Sequence, residues 1–514
     1  MSVPRWTTSR EFSGWKSSAL WNSPATRYVS EAIVATAPDP RRWKALALVC
    51  VAFFMTILDV SIVNVALPSI GTALDFSREN LQWVISAYAI TFGGFLLLAG
   101  RTADLLGRRR IFMIGVALFT MASLACGLAN SEGVLIASRA VQGLGAAIVS
   151  PAALSIVTTL FAEGAERNKA LGISGAVGGS GAAVGVLAGG ILTKYLGWEW
   201  IFFVNVPVGI AVLALTVALV TESRVETMRR RYDLAGALSV TSGLALLVYT
   251  ISKAPDVGWG SARTIGLLIL AVALLALFLI IEMRVEQPLM PLRIFQVRTV
   301  AGANIVGLIL GAVIFANFFL LTLYVQQVLG YSALRAGLTF LTTAGTAVVS
   351  AGLAQALVTK VGVKPILATG LFLLTVGMVW YTQISAHGSF VSDLLVGYVA
   401  VGIGIAFAFV PVTIAALAGV ADHEAGLGSG LINTSQQIGG AIGVAVASTI
   451  FTSHFTSLVA SGTSQPEALT SGFQRAFWFL AVLGVASIVA TFIFVNDREI
   501  ASSAATEPEL YTSN

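Results

Sequence analysis

The sequence predicts an all-α integral membrane protein, a bundle of fourteen transmembrane helices. Hydrophobic residues make up 56% of the 514 residues and charged residues only 11%, whereas soluble domains carry about 25% charged residues. The apolar residues fall in runs of about 17–25 residues, the length that crosses a hydrocarbon core of about 30 Å. Polar turns such as "DFSREN" (75–80) and "RTADLLGRRR" (101–110) separate most of these runs.

The predicted spans follow one another from about residue 46 to residue 495. They cover residues 46–68, 81–99, 111–129, 134–158, 171–193, 200–220, 234–252, 264–281, 301–325, 336–358, 364–384, 392–418, 427–451 and 476–495. The runs 234–252 and 264–281 also permit one interfacial helix and one spanning helix, since surface helices share this length range.

The basic residues predict which loops face the cytoplasm, because Lys and Arg are retained on that side. With a cytoplasmic start, 19 basic residues fall on the inner side and 6 in the outer loops. Both ends of the chain are therefore predicted to be cytoplasmic, in a cell (inner or plasma) membrane. The net charge of +5 follows mostly from this bias, so it gives no indication of nucleic-acid binding.

The predicted organisation places two six-helix halves around an inserted pair of helices. Residues 1–44 are predicted to be a disordered cytoplasmic tail without a cleavable signal peptide, although a misassigned start codon would give the same polar stretch. Residues 45–222 form the first half, 223–298 the two inserted helices with linkers, 299–496 the second half and 497–514 a cytoplasmic tail. Weak repeats support the halves: "AERNKALGISGAVGGSGAAVG" (165–185) parallels "HEAGLGSGLINTSQQIGGAIG" (423–443).

Asp59 is the only charged residue from Ala45 to Leu74. A charged side chain at the bilayer centre costs about 2.5–3.5 kcal/mol on insertion scales, so Asp59 should face a polar cavity or a partner. One interpretation is a proton-coupling carboxylate. The other is a structural carboxylate that fixes helix packing through hydrogen bonds.

Arg139 is the only basic residue deep in a predicted span, with Gln142 one helical turn later. The two side chains share a helix face and could hydrogen-bond to each other or to a substrate. The equivalent place in the second half is near Tyr398, so an arginine function would belong to the first half alone. An arginine snorkelling to a headgroup is the alternative.

A stripe of glycines lines the fifth predicted helix. Its members are Gly178, Gly181, Gly185, Gly189 and Gly190. Small residues at this spacing allow a neighbouring helix to approach closely, and the same contact could slide or seal during transport.

Several segments resemble known sequence signatures. "GRTADLLGRRRIFMIG" (100–115) resembles the loop signature of the major facilitator superfamily. "LDVSIVNVALP" (58–68), "LIASRAVQGLGAA" (135–147) and "WEWIFFVNVPVG" (198–209) resemble signatures of its 14-helix drug:proton antiporter branch, the EmrB/QacA-like transporters. Three positions depart from the family pattern: Val186 stands where Pro is usual in the antiporter signature, and in the loop signature Leu105 stands where a basic residue is usual and Thr102 where an apolar residue is usual.

The resemblance implies a major facilitator fold and roles for several residues. Arg139 would tune the proton-binding acid and contact substrate. A conformational latch would comprise Gly100, Asp104, Gly107, Arg108 and Arg109, with Asp104 pairing with a neighbouring helix end in one state. The charges of this loop also serve to anchor the topology.

A polyspecific cavity should be apolar and aromatic with a few polar groups. The candidates for its lining are Trp83, Tyr88, Gln142, Asn317, Phe318, Tyr324, Gln326, Asn433 and Gln436. For each of them, helix packing is the simpler interpretation.

The predicted function is proton-coupled export of lipophilic or cationic drugs and toxic compounds by alternating access. The alternative is export of one specific endogenous metabolite, peptide or lipid. Partners are then the small-molecule substrates, protons and the bilayer, without nucleic acid, and we expect a monomer. No cofactor or metal is expected, and the absence of a Walker loop argues against ATP as the driving force. A membrane enzyme would need clustered His, Asp or Glu, whereas the chain has 3 His.

Overall fold

The computed structural model describes residues 40–161, 165–223, 233–286, 288–418, 420 and 425–500. These residues form helices joined by short connections, with no strand among them. The long helices, numbered in chain order, are α1 Arg42–Ala73, α2 Trp83–Leu106, α3 Arg108–Gly127, α4 Glu132–Leu160, α5 Ala165–Tyr195, α6 Asn205–Leu219, α7 Leu234–Val257, α8 Ala262–Arg284, α9 Arg298–Gln327, α10 Ala333–Val361, α11 Val363–Tyr381, α12 Leu395–Leu417, α13 Ala425–Ala460 and α14 Gln465–Phe494. Short helical segments at Arg78–Leu81, Trp200–Phe203, Leu292–Gln296 and Phe390–Leu394 precede α2, α6, α9 and α12.

The long helices match the predicted spans. Among the described residues, thirteen helices are long and apolar enough to cross a membrane, and the fifth predicted span contributes the apolar stretch Ala183–Tyr195 of α5. Both α7 and α8 are among the thirteen, in agreement with two spanning helices in the inserted segment. α1 begins at Arg42, inside the tail predicted for residues 1–44, of which residues 1–39 lie outside the described chain.

The two sets of six helices pack in the same way. In the first set α4 packs on α2 and α3, and α1 packs on α5 and α6. In the second set α12 packs on α10 and α11, and α9 packs on α13 and α14. The packing therefore repeats at the helix positions where the sequence repeats predict equivalence.

The inserted helices lie against the join between the two sets. α7 packs against α2 of the first set and α13 of the second, while α8 packs against α7. Trp83 of α2 belongs to the hydrophobic cluster at this contact, which also includes Val248 and Ile251 of α7. Much of α8 faces outward, with Ile269 64% exposed, as expected for a helix against lipid.

The bundle has two faces, which we name by their loops. The α1–α2 face carries the connections at 74–82, 128–131, 196–199 and 328–332, and the α2–α3 face carries those at 107, 220–223, 285–297, 362 and 495–496. At the α1–α2 face the two sets touch directly, since Gln326 Nε2 donates to the Val65 carbonyl oxygen at 2.8 Å. A Cβ at Gly190 would lie 2.8 Å from the Leu334 Cα, so α5 and α10 also meet closely there.

At the α2–α3 face, one carboxylate caps the third helix of each set. Glu222, after α6, accepts hydrogen bonds at 3.1 Å from the backbone N–H groups of Arg109 and Arg110 at the start of α3. Asp497, after α14, accepts at 3.1 and 2.9 Å from those of Val363 and Lys364 at the start of α11. Residues 497–500, the beginning of the predicted C-terminal tail, are thus part of the packed structure, because Asp497 caps α11.

Candidate functional site

Asp59 lies near the middle of α1 and is fully buried. Its Oδ2 accepts from Arg139 Nη1 at 2.5 Å, and its Oδ1 accepts from Gln142 Nε2 at 2.7 Å and from Asn205 Nδ2 at 3.1 Å. Three donors from α4 and α6 therefore surround the carboxylate of Asp59. A carboxylate so placed has its charge balanced and both oxygens hydrogen-bonded, which is the condition for burying it.

Arg139 crosses the interior instead of reaching a headgroup. The residue is 1% exposed, its Nε donates to the Val84 carbonyl oxygen at 2.9 Å, and its Nη1 also donates to Gln142 Oε1 at 2.6 Å. The guanidinium carbon lies 4.5 Å from the centroid of the Tyr88 ring, a distance at which a cation gains from the ring's negative face. The snorkelling alternative for Arg139 does not agree with this geometry.

Two residues of the site, Ser123 and Asn205, were missed by the sequence reasoning. Ser123 Oγ receives hydrogen bonds from Gln142 Nε2 at 3.2 Å and Asn205 Nδ2 at 3.1 Å, and it donates to the Phe202 carbonyl oxygen at 2.9 Å. Both residues are buried polar side chains in apolar helices, α3 and α6. A polar residue within an apolar helix is the feature of the sequence that could have indicated both residues, because a buried polar group is expected to have a hydrogen-bonding partner.

The groups of this cluster are chemically suited to charge pairing and to proton exchange. Its charged groups are one acid and one base, arranged with neutral amide, hydroxyl and thiol groups, and Cys126 is a free thiol that donates to Gln142 Oε1 at 3.6 Å. No group of three or more His, Cys, Asp or Glu that could hold a metal occurs among the described residues. If a proton binds to Asp59, the carboxyl group and Arg139 can form hydrogen bonds with other groups. The amide side chains of Gln142 and Asn205 can donate to one charged form or accept from the other.

The glycine stripe of α5 lies directly behind the acid. A Cβ at Gly185 would lie 2.7 Å from Ser61 Cβ and 2.9 Å from the Leu58 carbonyl oxygen, and one at Gly189 would lie 2.7 Å from the Ile62 carbonyl oxygen. A Cβ at Gly181 would lie 3.1 Å from Ile57. α5 therefore rests backbone-to-backbone on the part of α1 that carries Asp59. Gly190 faces α10 instead, and the surroundings of Gly178 lie outside the described part.

The predicted latch residues lie at the α2–α3 face. Gly107 has φ +110°, which a residue with a side chain rarely adopts, and its turn lets α3 begin at Arg108. Arg108 N–H donates to the Ser223 carbonyl oxygen at 2.9 Å, and Arg109 Nη1 donates to that of Val220 at 3.3 Å. These loop residues thus contact the end of α6.

Gly100 and Asp104 are the remaining predicted latch residues. Gly100 faces Pro151 of α4, where a Cβ would lie 3.3 Å from the proline Cβ. The side chain of Asp104, for which the latch was predicted, lies outside the described side chains.

The predicted cavity residues do not form one group. Tyr88 and Gln142 belong to the Asp59 cluster. Gln326 joins α9 to α1, Tyr324 donates to the Ser385 carbonyl oxygen at 2.8 Å, and Trp83 packs beside α7.

The remaining cavity candidates lie on α9 and α13. Phe318 packs on Phe340 with ring centroids 5.3 Å apart, and Asn433 Nδ2 donates to the Ser429 carbonyl oxygen at 2.8 Å. Within the described part of the chain, Asn317 Oδ1 and Gln436 Nε2 are buried and have no hydrogen-bonding partner.

The second set of helices has aromatic packing where the first has the ion pair. Tyr398, the equivalent of Arg139, is fully buried, and its ring centroid lies 5.4 Å from that of Phe340 and 6.1 Å from that of Tyr381. Its hydroxyl oxygen lies 3.3 Å from Thr339 Oγ1. The charged chemistry of the interior is therefore concentrated in the first set, as the lone arginine indicates.

A bundle of two repeated six-helix sets, with an ion pair buried inside one of them, defines a membrane transporter. The profile of the Major Facilitator Superfamily matches residues 49–444 and 305–510. The chain belongs to the Major Facilitator Superfamily. The predicted family and fold are confirmed, and the protein is a transporter and not an enzyme.

The chain is similar to several proteins named for resistance or export. It is 38% identical to "Puromycin resistance protein pur8" of Streptomyces alboniger, over 90% of this chain and 92% of that protein. It is 39% identical to "Cephamycin export protein CmcT" of Amycolatopsis lactamdurans, over 87% and 91%. It is 37% identical to "Multidrug resistance protein Stp" of Mycobacterium tuberculosis, over 77% and 73%.

Solved transporter structures share the fold at low sequence identity. A bacterial homologue of the human lysosomal transporter Spinster, in an inward-facing and unoccupied conformation, has a TM-score of 0.63 at 16% identity, covering 90% of this chain and 98% of that one. The peptide transporter POT has a TM-score of 0.65 at 16% identity, covering 89% and 95%. These likenesses concern the fold alone.

Proposed function

We propose that this protein is a proton-coupled multidrug exporter, which moves lipophilic or cationic antimicrobial compounds out of the cell by alternating access. The carrying observation is the buried Asp59, ion-paired with Arg139 and hydrogen-bonded by Gln142 and Asn205. The resistance and export names of its relatives support the direction of transport and the class of substrate.

The coupling follows from the difference between the two charge states of Asp59. Ionised, it holds Arg139, Gln142 and Asn205 in the arrangement described here, in which α1, α4 and α6 are joined. A proton on Asp59 removes the charge that Arg139 neutralises, so the arginine must find other acceptors. A ligand shifts a conformational equilibrium only when it binds the two states differently, and this rearrangement gives the proton such a difference.

The substrate then binds between the two sets of helices, near the middle of the membrane, as in other transporters built from parallel repeats. Asn317 and Gln436 offer unpaired polar groups on the second set. Both ends of the chain lie in the cytoplasm in this proposal, on the side where the basic loops lie. The protein works as a monomer in the cell membrane, with the proton gradient as its energy source.

The test is efflux of a fluorescent lipophilic cation, such as ethidium, from energised cells. Wild type should lower the intracellular dye, and a protonophore should abolish this. Asp59→Asn should abolish net efflux when efflux is compared at equal amounts of the two proteins in the membrane. Asp256→Asn, an acid at the exposed end of α7, is the matched control and should export normally. Uphill efflux by Asp59→Asn would contradict the coupling role.

A second candidate function is export of one particular compound. The names of two relatives refer to single compounds, puromycin and cephamycin. Growth of a deletion strain against a panel of structurally unrelated toxic compounds separates the alternatives. Sensitivity to many members supports multidrug export, whereas sensitivity to one chemical class supports the narrow exporter.

A further inference from the structure

A polar groove opens at the α1–α2 face, between the connection 258–261 that joins α7 to α8, the end of α13 and the first half of α14. The groove has a volume of about 400 Å³, within the range of small-molecule sites. Its lining combines two basic side chains, one tryptophan and three hydroxyl groups, which are those of Arg475, His454, Trp259, Thr449, Ser453 and Ser457. The lining belongs entirely to the described part of the chain and includes no acid. The groove therefore offers positive charge and hydrogen-bond donors to a negatively charged group.

The charge of Arg475 is not neutralised within the protein. Its side chain is exposed and makes no ion pair or hydrogen bond with the described residues. The acids nearby in the sequence have other partners. Lys253 Nζ lies 3.7 Å from Asp256 Oδ2, and Ser464 Oγ donates to Glu467 Oε2 at 2.7 Å. Arg475 is therefore available to an anion from outside the chain.

Arg475 lies at one end of the lipid-facing side of α14. Exposed apolar residues follow it at alternating spacings of three and four residues, which keeps them on one face of the helix; they are Trp478, Val482, Val485, Val489 and Phe492. From Arg475 to Phe492 the helix rises about 25 Å, close to the hydrocarbon thickness of about 30 Å. At the far end, Lys364 Nζ lies 5.6 Å from the centroid of the Phe492 ring. Cations thus bound an apolar stripe of nearly membrane thickness, and Arg475 lies at the level of the lipid headgroups.

His454 joins the two helices that form the floor of the groove. Its Nε2 lies 3.0 Å from Ser471 Oγ, one helical turn before Arg475 on α14. Its Nδ1 has no hydrogen-bonding partner in the described part of the chain. Trp259, on the opposite side of the groove, is 53% exposed, and tryptophan is typical of the headgroup level of a membrane.

We propose that this groove binds the headgroup of an anionic phospholipid, with the phosphate on Arg475. A guanidinium can donate to two phosphate oxygens at once, and the hydroxyl groups of Ser453 and Ser457 supply further donors. The acyl chains then lie along the apolar stripe of α14, which begins directly beside Arg475. An ammonium headgroup finds no carboxylate in the lining, so the groove favours lipids that carry a net negative charge.

The bound lipid connects the inserted helices to the second set, because the groove lies between the α7–α8 connection and the pair α13 and α14. Near this face α7 is attached to both sets. Gln82 Nε2 of the first set donates to Ser252 Oγ, and Thr449 Oγ1 of the second set donates to the Ile251 carbonyl oxygen at 3.2 Å. The lipid strengthens the second attachment. The inserted helices therefore stay with the second set when the two sets separate at this face.

Thermal unfolding of the purified full-length protein in detergent tests the site, with phosphatidylglycerol or phosphatidylcholine added. Phosphatidylglycerol should raise the melting temperature of wild type by about 2 °C or more beyond the effect of phosphatidylcholine. Arg475→Gln should lose this difference. Arg263→Gln, at the start of α8 on the same face and outside the groove, is the matched control and should retain it. An equal loss in both variants, or no preference for phosphatidylglycerol in wild type, would overturn the proposal.

Soluble phosphates distinguish a lipid from a free anion. Inorganic phosphate and glycerol phosphate, added without lipid at the same concentration, should leave the melting temperature of wild type unchanged. Stabilisation by either compound that is lost in Arg475→Gln would assign the groove to soluble anions and contradict the lipid.

Hydrogen-exchange mass spectrometry locates the bound lipid. Phosphatidylglycerol should slow amide exchange in the connection 258–261 and at the end of α13 in wild type and in Arg263→Gln, but not in Arg475→Gln. Protection of other segments without these two would contradict the site. Neither measurement involves transport, so the result is independent of whether the protein exports drugs.

Discussion

The charge of Asp59 and that of Arg139 stabilise each other, and neither is tolerable alone in this interior. Removing one partner of a buried ion pair costs about 3–5 kcal/mol, since it leaves an uncompensated charge. Arg139 also donates to Val84 and Gln142, which fixes its planar group in one orientation. A lysine has the charge but lacks this fixed set of donors.

This interdependence predicts strong non-additivity. Asp59→Asn and Arg139→Gln should each destabilise the purified protein by about 3–5 kcal/mol, and the double variant should be destabilised by clearly less than the sum of the two. Thermal unfolding of the four proteins in one detergent provides the measurement. Additive losses would mean that the two residues do not act as a pair.

The residues that the sequence did and did not predict differ in the kind of signal they give. Asp59 and Arg139 stand out because a charge within an apolar span is costly. Ser123 and Asn205 are neutral, so their side chains do not stand out within an apolar span. Their importance depends on which helices pack against one another in the bundle, and the sequence of a single span does not reveal this. Tyr324 and Trp83 were assigned to a cavity because aromatic residues line cavities, but the same residues also fill helix contacts, and that use prevails here.

At the scale of the helix, the glycines of α5 determine how closely it approaches α1. Gly185 leaves no room for a side chain against Leu58 and Ser61, which flank Asp59. The spacing of the glycines predicted a close contact, but its partner helix became known only from the structure.

Gly185→Ala should therefore destabilise the protein by about 1–3 kcal/mol, the usual cost of overpacking, and reduce proton-coupled efflux by displacing Asp59. Gly266→Ala on α8 is the control, because no atom lies within 4 Å of a Cβ at that position. That change should be neutral or stabilising by about 0.5–1 kcal/mol. Melting temperatures and ethidium efflux of both variants check the prediction, and equal behaviour would contradict it.

The carboxylate caps at the α2–α3 face stabilise the first turns of two helices. Glu222 and Asp497 satisfy backbone N–H groups at the first turns of α3 and α11, where a negative charge also interacts favourably with the helix dipole. From the sequence alone, Asp104 is the acid expected to act at the loop 100–110, and residues after 496 read as a tail. The caps cannot be predicted from the sequence, because each acid lies more than 100 residues from its helix.

Loss of either cap should act locally. Glu222→Ala should cost about 0.5–2 kcal/mol and increase amide hydrogen exchange in the first turn of α3, leaving α11 unchanged. Asp497→Ala should do the reverse. Hydrogen-exchange mass spectrometry of the two variants makes each the control for the other. Faster exchange in both helices in either variant would indicate general destabilisation and not a cap.

For the whole molecule, alternating access requires the two sets of helices to separate at one face while they meet at the other. In this structure they meet at the α1–α2 face, through Gln326 and Val65 and through the glycines of α5 and α10, and α2 also touches α13 nearer the other face, where a Cβ at Gly430 would lie 2.8 Å from Leu97. The sequence predicted the two sets from their repeats and from the family resemblance. It could not predict which face is closed, because one sequence encodes every state of the cycle.

The closed face depends on Gly337 of α10, where a Cβ would lie 2.5 Å from the Val186 carbonyl oxygen. Gly337→Ala should act as a wedge between α5 and α10 and shift the population towards the state open at the α1–α2 face. An overpacking cost of about 1–3 kcal/mol in the closed state alone corresponds to a shift of about fivefold or more. Gly345→Ala, on the same helix with no atom within 4 Å of its Cβ, is the control.

The measurement is labelling of a Leu334→Cys reporter, beside Gly190, by a membrane-impermeant maleimide. The native cysteines, Cys50 and Cys126, are buried and should contribute little background. Labelling should be about fivefold faster or more with Gly337→Ala, and unchanged with Gly345→Ala. Because the wedge disfavours one of the two states that transport requires, ethidium efflux should fall together with the rise in labelling. Faster labelling with undiminished efflux would mean that closure at this face does not limit the transport cycle.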